Sequence, residues 1–284
     1  MQLQFQEFSM PPSSHTGSES GWRSRPLIPA SLALHAAATG MVGSNPALWP
    51  WALALVISNH AVLAATGLWP RSSWLGPNWS HLPTTTLADG GRVAITLDDG
   101  PDSTVTPPVL DVLDRAGVRA TFFCVGELIA AHPALSREIV ARGHCIENHS
   151  HHHLHHFSVL GPRRMKSEVA RAQDTIADVT GQRPKFFRAP AGLRNPFLDG
   201  ILSELDLRLA SWTRRGFDTI NRRPDLVLER LTRRLGDGDI LLLHDGNAAR
   251  ADTGRPVILE VLPQLLATLA LAKLQAITLR EALS

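Results

Sequence analysis

An α/β fold, a distorted TIM-like (β/α)7 barrel with an N-terminal hydrophobic helical segment, is what this 284-residue sequence predicts. From residue 92 onward, short β-prone runs alternate with stretches of helical periodicity, which implies βα units and a parallel sheet. Seven such runs occur, at 93–97, 120–125, 144–146, 185–188, 207–212, 240–243 and 276–279, and that number suits a closed or nearly closed barrel better than an open sheet. The intervening helices are expected at about 108–116, 127–142, 163–180, 195–205, 225–235 and 255–272. The third observation is a pair of uncharged apolar stretches before residue 71.

Those stretches divide the N-terminal part of the chain. Residues 1–26 are polar and rich in Ser and Pro, and read as a disordered leader. Residues 27–43 and 47–70 are apolar, with Trp49, Trp51 and Trp69 near the ends of the second. A spanning helix needs about 20 apolar residues and favours Trp at the headgroup level. A hydrophobic hairpin or anchor over 27–70 is therefore expected, against a signal peptide with one anchor or a soluble helical pair packed on the barrel. Residues 71–91, rich in Gly, Pro, Ser and Thr, read as a linker to a catalytic domain over 92–284. With 28 basic and 26 acidic side chains the net charge is only +2, and no nucleic-acid motif occurs, so a nucleic-acid partner is not expected. The two cysteines, Cys124 and Cys145, each close a short apolar run and read as buried thiols.

In a parallel barrel the chemistry sits at the C-terminal ends of the strands. The first run ends in Asp98-Asp99, whose adjacent carboxylates point in different directions and so can serve different tasks. The third runs into Asn148-His149-Ser150-His151-His152-His153-Leu154-His155-His156. Histidines four apart on a helical turn suit a zinc-type ion, but three such pairs occur (149/153, 151/155 and 152/156), and spacing leaves the choice open. The fourth run ends in Arg188-Ala189-Pro190-Ala191-Gly192, where an Arg can orient a carboxylate. The sixth ends in Leu242-Leu243-His244-Asp245, where a histidine suits acid–base work.

Taken in order, these motifs resemble those of the NodB-type polysaccharide deacetylases, a carbohydrate esterase group that includes chitin and peptidoglycan deacetylases. The likeness covers about residues 92–280: Thr96-Leu97-Asp98-Asp99-Gly100, Asn148 to His153, Arg188 to Gly192, and Leu242 to Asp245. It selects the 149/153 pair. The resemblance implies a metal held by Asp99, His149 and His153, expected to be Zn2+, with Co2+, Ni2+ or Mn2+ as alternatives. It implies Asp98 as general base, Arg188 as its orienting partner, the backbone N–H of Ala191 at the oxyanion, and His244 as general acid. The implied activity is hydrolysis of an N-acetyl or N-formyl group on an amino sugar of an envelope polysaccharide or its lipid-linked precursor. Combined with the apolar segment, it implies a membrane-associated enzyme of a bacterial inner membrane.

The sequence departs from the family pattern at two places. Ala191 stands where the family often has Tyr. The usual W-x-x-D-x-x-D-W reads Trp212-Thr213-Arg214-Arg215-Gly216-Phe217-Asp218-Thr219. Asp218 is retained and is expected to tune His244, whereas Arg215 replaces an acid and Thr219 an aromatic. Trp212, Arg215 and Leu242 are expected to line the substrate pocket, and the added cation favours a substrate bearing phosphate or carboxylate unless Arg215 is paired locally. Alternative functions are a polyprenyl-phosphate-linked sugar deformylase, a non-catalytic glycan-binding relic of the fold, and a His-rich metal buffer.

Overall fold

The computed structural model describes residues 27–83 and 91–283. The leader expected over 1–26 and part of the linker expected over 71–91 lie outside them. Two apolar helices come first, α1 (Leu27–Ser44) and α2 (Trp49–Leu68). Their turn is set by Asn45, whose side chain accepts from the Ala47 N–H ahead of Pro46. At 1.5 Å per residue they run about 27 and 30 Å, long and apolar enough to cross a membrane by length and composition. Most of their surface is exposed, including Leu32, Trp49, Trp51 and Ile57. Two polar contacts join them: Asn59 donates to Ser31 Oγ at 2.7 Å, and the Nε2 atoms of His35 and His60 meet at 3.3 Å.

The barrel follows. Its strands are β1 (Arg92–Gly100), β2 (Thr121–Cys124), β3 (Cys145–Asn148), β4 (Phe186–Phe187), β5 (Arg208–Leu209), β6 (Arg214–Arg215), β7 (Ile240–His244) and β8 (Gln275–Ala276). Between them lie α3 (Thr106–Arg115), α4 (Gly126–Ala131), α5 (Pro133–Ala141), α6 (Pro162–Thr180), α7 (Leu198–Glu204), α8 (Pro224–Thr232) and α9 (Val257–Leu271). The spatial order is β5-β4-β3-β2-β1-β7-β6, with β8 paired to the start of β1. All pairings are parallel. This is the expected curled (β/α) barrel, with two local differences. The single helix expected over 127–142 is two helices, because Pro133 lacks the N–H that would continue α4. The two-residue β6 was not anticipated, since Arg214-Arg215 carries no apolar alternation.

Strand alternation sorts side chains onto two faces. Val93, Ile95 and Leu97 of β1, Phe122 and Cys124 of β2, and Leu241 and Leu243 of β7 pack outward against α3, α8 and α9. Ala94, Phe123, Phe186, Ile240 and Leu242 fill the barrel interior. Continued in steps of two, the inward series of β1, β4 and β7 reach Asp98 (through Thr96), Arg188 and His244 at the strand ends. The same parity sends Glu147 inward, where it accepts from the Lys185 and Phe186 N–H groups and from Arg280. Both cysteines are free thiols, and burial pushes the Cys124 thiol up.

The gap between the edge strands β5 and β6 is spanned from an unexpected source. Residues 79–82, within the stretch expected to be a linker, bridge Trp79 to Ala210 and His81 to Asp239. Trp79 packs edge-on against Phe186, with ring centroids 5.1 Å apart, and Leu82 enters the interior cluster. The end of α2 is fixed nearby: the Arg194 N–H donates to the Gly67 carbonyl at 3.1 Å, and the buried Arg194 guanidinium to that of Ser72.

Phe122 is fully buried at the centre of the outer cluster. Phe122→Ala is expected to cost about 3–5 kcal/mol, read as a fall in the denaturant midpoint of the detergent-solubilised protein.

Candidate active site

Arg188 is completely buried. Its Nη1 donates to Asp98 Oδ1 at 2.6 Å and to Thr96 Oγ1 at 2.7 Å. Nε and Nη2 are taken by the carbonyls of Ala210 and Ser211 at 3.3 and 2.8 Å. The guanidinium lies 4.0 Å from the centroid of the Phe123 ring. Burial depresses the Arg188 pKa, and the Asp98 charge works against that depression. One Asp98 oxygen is thereby immobilised, and Oδ2 is left facing His149 at 3.8 Å.

Asp99 reaches the same side of the barrel by breaking the alternation. The β1–β2 register shifts between Asp98 and Gly100, and Asp99 occupies that bulge in the left-handed region, with φ 70°. Bulges of this kind re-aim side chains beside active sites. The bend brings Asp99 Oδ1 to 3.2 Å from His149 Nε2 and 3.1 Å from His153 Nε2. Burial alone would raise the Asp99 pKa, but hydrogen bonds and charge from both histidines hold it well below the ordinary carboxylate range. Burial opposes the charged form of His153 and Asp99 favours it, with a net rise. His149 Nδ1 bonds to the Arg188 carbonyl at 2.8 Å, the kind of outer contact that orients a metal-ligating imidazole. The ligand atoms of Asp99, His149 and His153 all lie within 4.8 Å of one another. One carboxylate and two imidazoles with a fourth direction open fit a zinc-type ion.

Across the cleft His244 Nδ1 meets Asp218 Oδ1 at 2.8 Å, and the His244 N–H donates to Asp218 Oδ2 at 2.7 Å. Burial disfavours the imidazolium, yet the Asp218 hydrogen bond and charge leave the His244 pKa above its usual value. The cleft, about 280 Å³, is lined by Asp98, Asp99, His149, His153 and His244, and its walls include Ala191, Trp212, Arg215, Thr219 and Leu242. Ala191 has a left-handed backbone, φ 55°. Every site residue expected from the sequence therefore belongs to this cleft or touches a residue that does.

The histidine run differs from expectation in its conformation. Residues 149–156 form a loop rather than a helical turn, and Ser150 and His153 both have positive φ. His149 and His153 converge because the loop folds back, with Ser150 Oγ accepting from the His153 N–H at 3.1 Å. The alternatives are drawn elsewhere: His151 is buried against Gly126, and His152 bonds Glu168 at 2.8 Å. His155 lies on the cleft wall. Sequence reasoning missed Asn247, whose Nδ2 donates to Asp99 Oδ2 at 3.3 Å. It also missed Asp245 as a supporting group: Thr106 donates to its carboxyl at 2.5 Å, and burial pushes that carboxyl up to about 7. A hydrogen-bonding pair at 245 and 247, just after a strand-end histidine, was the available signal.

An Asp-His-His set that could hold a metal ion, an Arg-locked carboxylate and an Asp-backed histidine lie together at the C-terminal ends of a curled parallel barrel, a hydrolase type of site. The polysaccharide deacetylase family model matches residues 87–210. A peptidoglycan-N-acetylglucosamine deacetylase of Bacillus cereus is 31% identical over 175 residues, 61% of this chain and 81% of that protein. The Listeria monocytogenes deacetylase PgdA is 33% identical over 165 residues, 57% of this chain, and the chain spans only about a third of its length (34%). Among solved structures, the family 4 carbohydrate esterase of Streptomyces lividans, in complex with acetate, superposes with a TM-score of 0.60 at 34% identity, covering 66% of this chain and 93% of that one. The chain belongs to the polysaccharide deacetylase family, as its motifs imply.

A methyl group at Gly246 would run into the backbone carbonyl of Asp99. Gly246→Ala is expected to displace the bulge and weaken the binding of added divalent metal at Asp99, His149 and His153 while the far-ultraviolet dichroism is retained; unchanged metal binding would show that the bulge tolerates the displacement.

Proposed function

We propose that this chain is a metal-dependent hydrolase that removes an N-acetyl or N-formyl group from an amino sugar of a cell-envelope polysaccharide or its lipid-linked precursor. The observation that carries the reading is the convergence of Asp99 Oδ1 with His149 and His153, beside an Asp98 already locked by Arg188. Relatives named as deacetylases of peptidoglycan N-acetylglucosamine and of chitooligosaccharides support the reaction class. A divalent ion, zinc by its donor set, would be held by Asp99, His149 and His153 and would supply Lewis acidity and a lowered pKa for a water.

The rest falls to the protein's own groups. Asp98 Oδ2, the oxygen not taken by Arg188, accepts the proton of the attacking water as its oxygen bonds to the acyl carbon. The Ala191 N–H is assigned to the oxyanion that forms. His244 donates its Nδ1–H to Asp218, so Nε2 carries a proton in the charged imidazolium that Asp218 favours. It gives that proton to the sugar nitrogen as the C–N bond breaks, releasing a carboxylic acid and an amine. A glycan-binding relic of the fold would lack a ligand, base or acid, and this chain retains all five residues. A metal buffer built from the whole histidine run is disfavoured by the burial of His151 and the His152–Glu168 pair. Helices α1 and α2 are assigned as the membrane anchor, at a bacterial inner membrane; their exposed apolar surface and flanking Trp residues support this.

Asp98→Asn is expected to retain the metal and lose about 10²–10⁴-fold in turnover, whereas His149→Ala should lose the metal too; acetate release and metal analysis separate the two. Turnover close to wild type in Asp98→Asn would remove it from the base role. Because Asp218 favours charged His244, the stabilisation from that pair is present below the ordinary histidine pKa and lost as pH rises through the raised one. The basic limb of the rate profile should follow the same raised value. In Asp218→Asn that limb is expected at lower pH, and an unmoved limb would assign it to another group.

A further inference from the structure

Each acidic side chain of the cleft already has a counter-charge. Asp98 is paired with Arg188 and Asp218 with His244, and Asp99 belongs to the metal donor set. Arg215 is the cation left over. On β6 its neighbour Arg214 turns away to Asp239 at 2.6 Å and to the carbonyls of Arg233 and Arg234. Arg215 instead lines the cleft and has no carboxylate partner among the described residues. Its Nε is buried and makes no hydrogen bond. Its guanidinium is held by aromatic rings, 5.5 Å from the Trp212 centroid and 4.9 Å from that of Phe217. Phe217, 40% exposed and with φ 60°, also gathers Arg230 at 5.3 Å. Rings of this kind orient a cation without neutralising it.

The wall that carries Arg215 also meets the end of the hairpin. A methyl group at Gly192 would touch Trp212 at 2.5 Å and Pro70 at 2.9 Å, and Arg71 Nη1 lies 3.5 Å from the Thr213 carbonyl. Trp69 and Trp74 are exposed beside this junction.

We propose that Arg215 receives a phosphate or diphosphate carried by the amino sugar, so that the substrate is an anionic sugar phosphate presented beside the hairpin rather than a neutral polymer. This rests on the deacylase reading above and narrows its substrate class. A guanidinium fixed in position by rings leaves its N–H groups free for phosphate oxygens, and such charge-assisted bonds are strong. The phosphate takes no part in the hydrolysis, which remains attack of water on the acyl carbon and departure of the amine.

The test uses the full chain in detergent or nanodiscs, zinc-loaded, with three probes: a neutral chitooligosaccharide, N-acetylglucosamine 1-phosphate, and a polyprenyl-phosphate-linked N-acetylglucosamine in vesicles. A phosphorylated probe is expected to exceed the neutral one in kcat/KM by roughly tenfold or more. Arg215→Gln should collapse that ratio through KM, and Arg215→Lys should retain part of it. Calorimetry on Asp98→Asn reads the same preference as a ratio of Kd values without turnover. An advantage of the vesicle-borne probe over the soluble one assigns the phosphate to a lipid carrier, and parity assigns it to a soluble sugar phosphate. Equal handling of neutral and phosphorylated probes, or a preference that survives Arg215→Gln, overturns the proposal. Arg215-dependent binding with no hydrolysis of any probe would instead keep the anion site and overturn the reaction.

Discussion

A guanidinium with no exposure to solvent is among the costliest groups a barrel can enclose, and Arg188 is accommodated because every direction around it is filled. Asp98 and Thr96 come from β1, the carbonyls of Ala210 and Ser211 from the stretch after β5, and the face of Phe123 from β2. Its own carbonyl accepts from the His149 ring, so one residue ties the proposed base, the donor set and both sides of the barrel together. Removal of either member of the Arg188–Asp98 pair leaves the other charge buried and unpaired, a loss of about 3–5 kcal/mol for pairs of this kind. Stability and chemistry are therefore coupled at this position.

Around that fixed point the backbone departs from ordinary conformations. Asp99, Ser150, His153, Ala191, Phe217 and Asn247 all have positive φ, and all lie in or beside the cleft. Non-glycine residues in this region carry strain that the surrounding structure must hold in place. The gain is geometrical. A regular strand presents one of two adjacent carboxylates to a given face, and the bulge at Asp99 presents both. Close approach of Gly246 to the Asp99 carbonyl keeps the bulge from relaxing outward.

Much of this was legible in the chain. The β-prone runs at Val93 to Leu97, Phe122 and Phe123, and Ile240 to Leu243 marked the strands, and the polar residues ending them marked the mouth of the barrel; runs apolar on both sides left the faces to the structure. Three further features were not legible, each for a physical reason. The two-residue β6 has no hydrophobic signature, because Arg214 and Arg215 are placed by Asp239 and by aromatic rings. Residues 79–82 look like linker in composition, and only the backbone at Ala210, just after β5, and at Asp239, just before β7, gives them bridging partners. The pairing of His149 with His153 follows from a folded-back loop, so helical spacing alone could not favour it over His151 or His152.

The barrel wall carries two messages interleaved in one chain. On β1 and β7 the odd-numbered residues address the helices, and the even-numbered ones address the interior and end in Asp98 and His244. Substitutions among the odd positions can repack the outer layer without changing what the cleft presents, and changes among the upper even positions alter the chemistry without touching a helix. A single inserted residue within β1 would exchange the two messages, sending the carboxylate of Asp98 toward the helices and an aliphatic side chain toward His149. Such a strand drifts readily by substitution and very little by insertion, so length is the property of β1 that descent should hold most tightly.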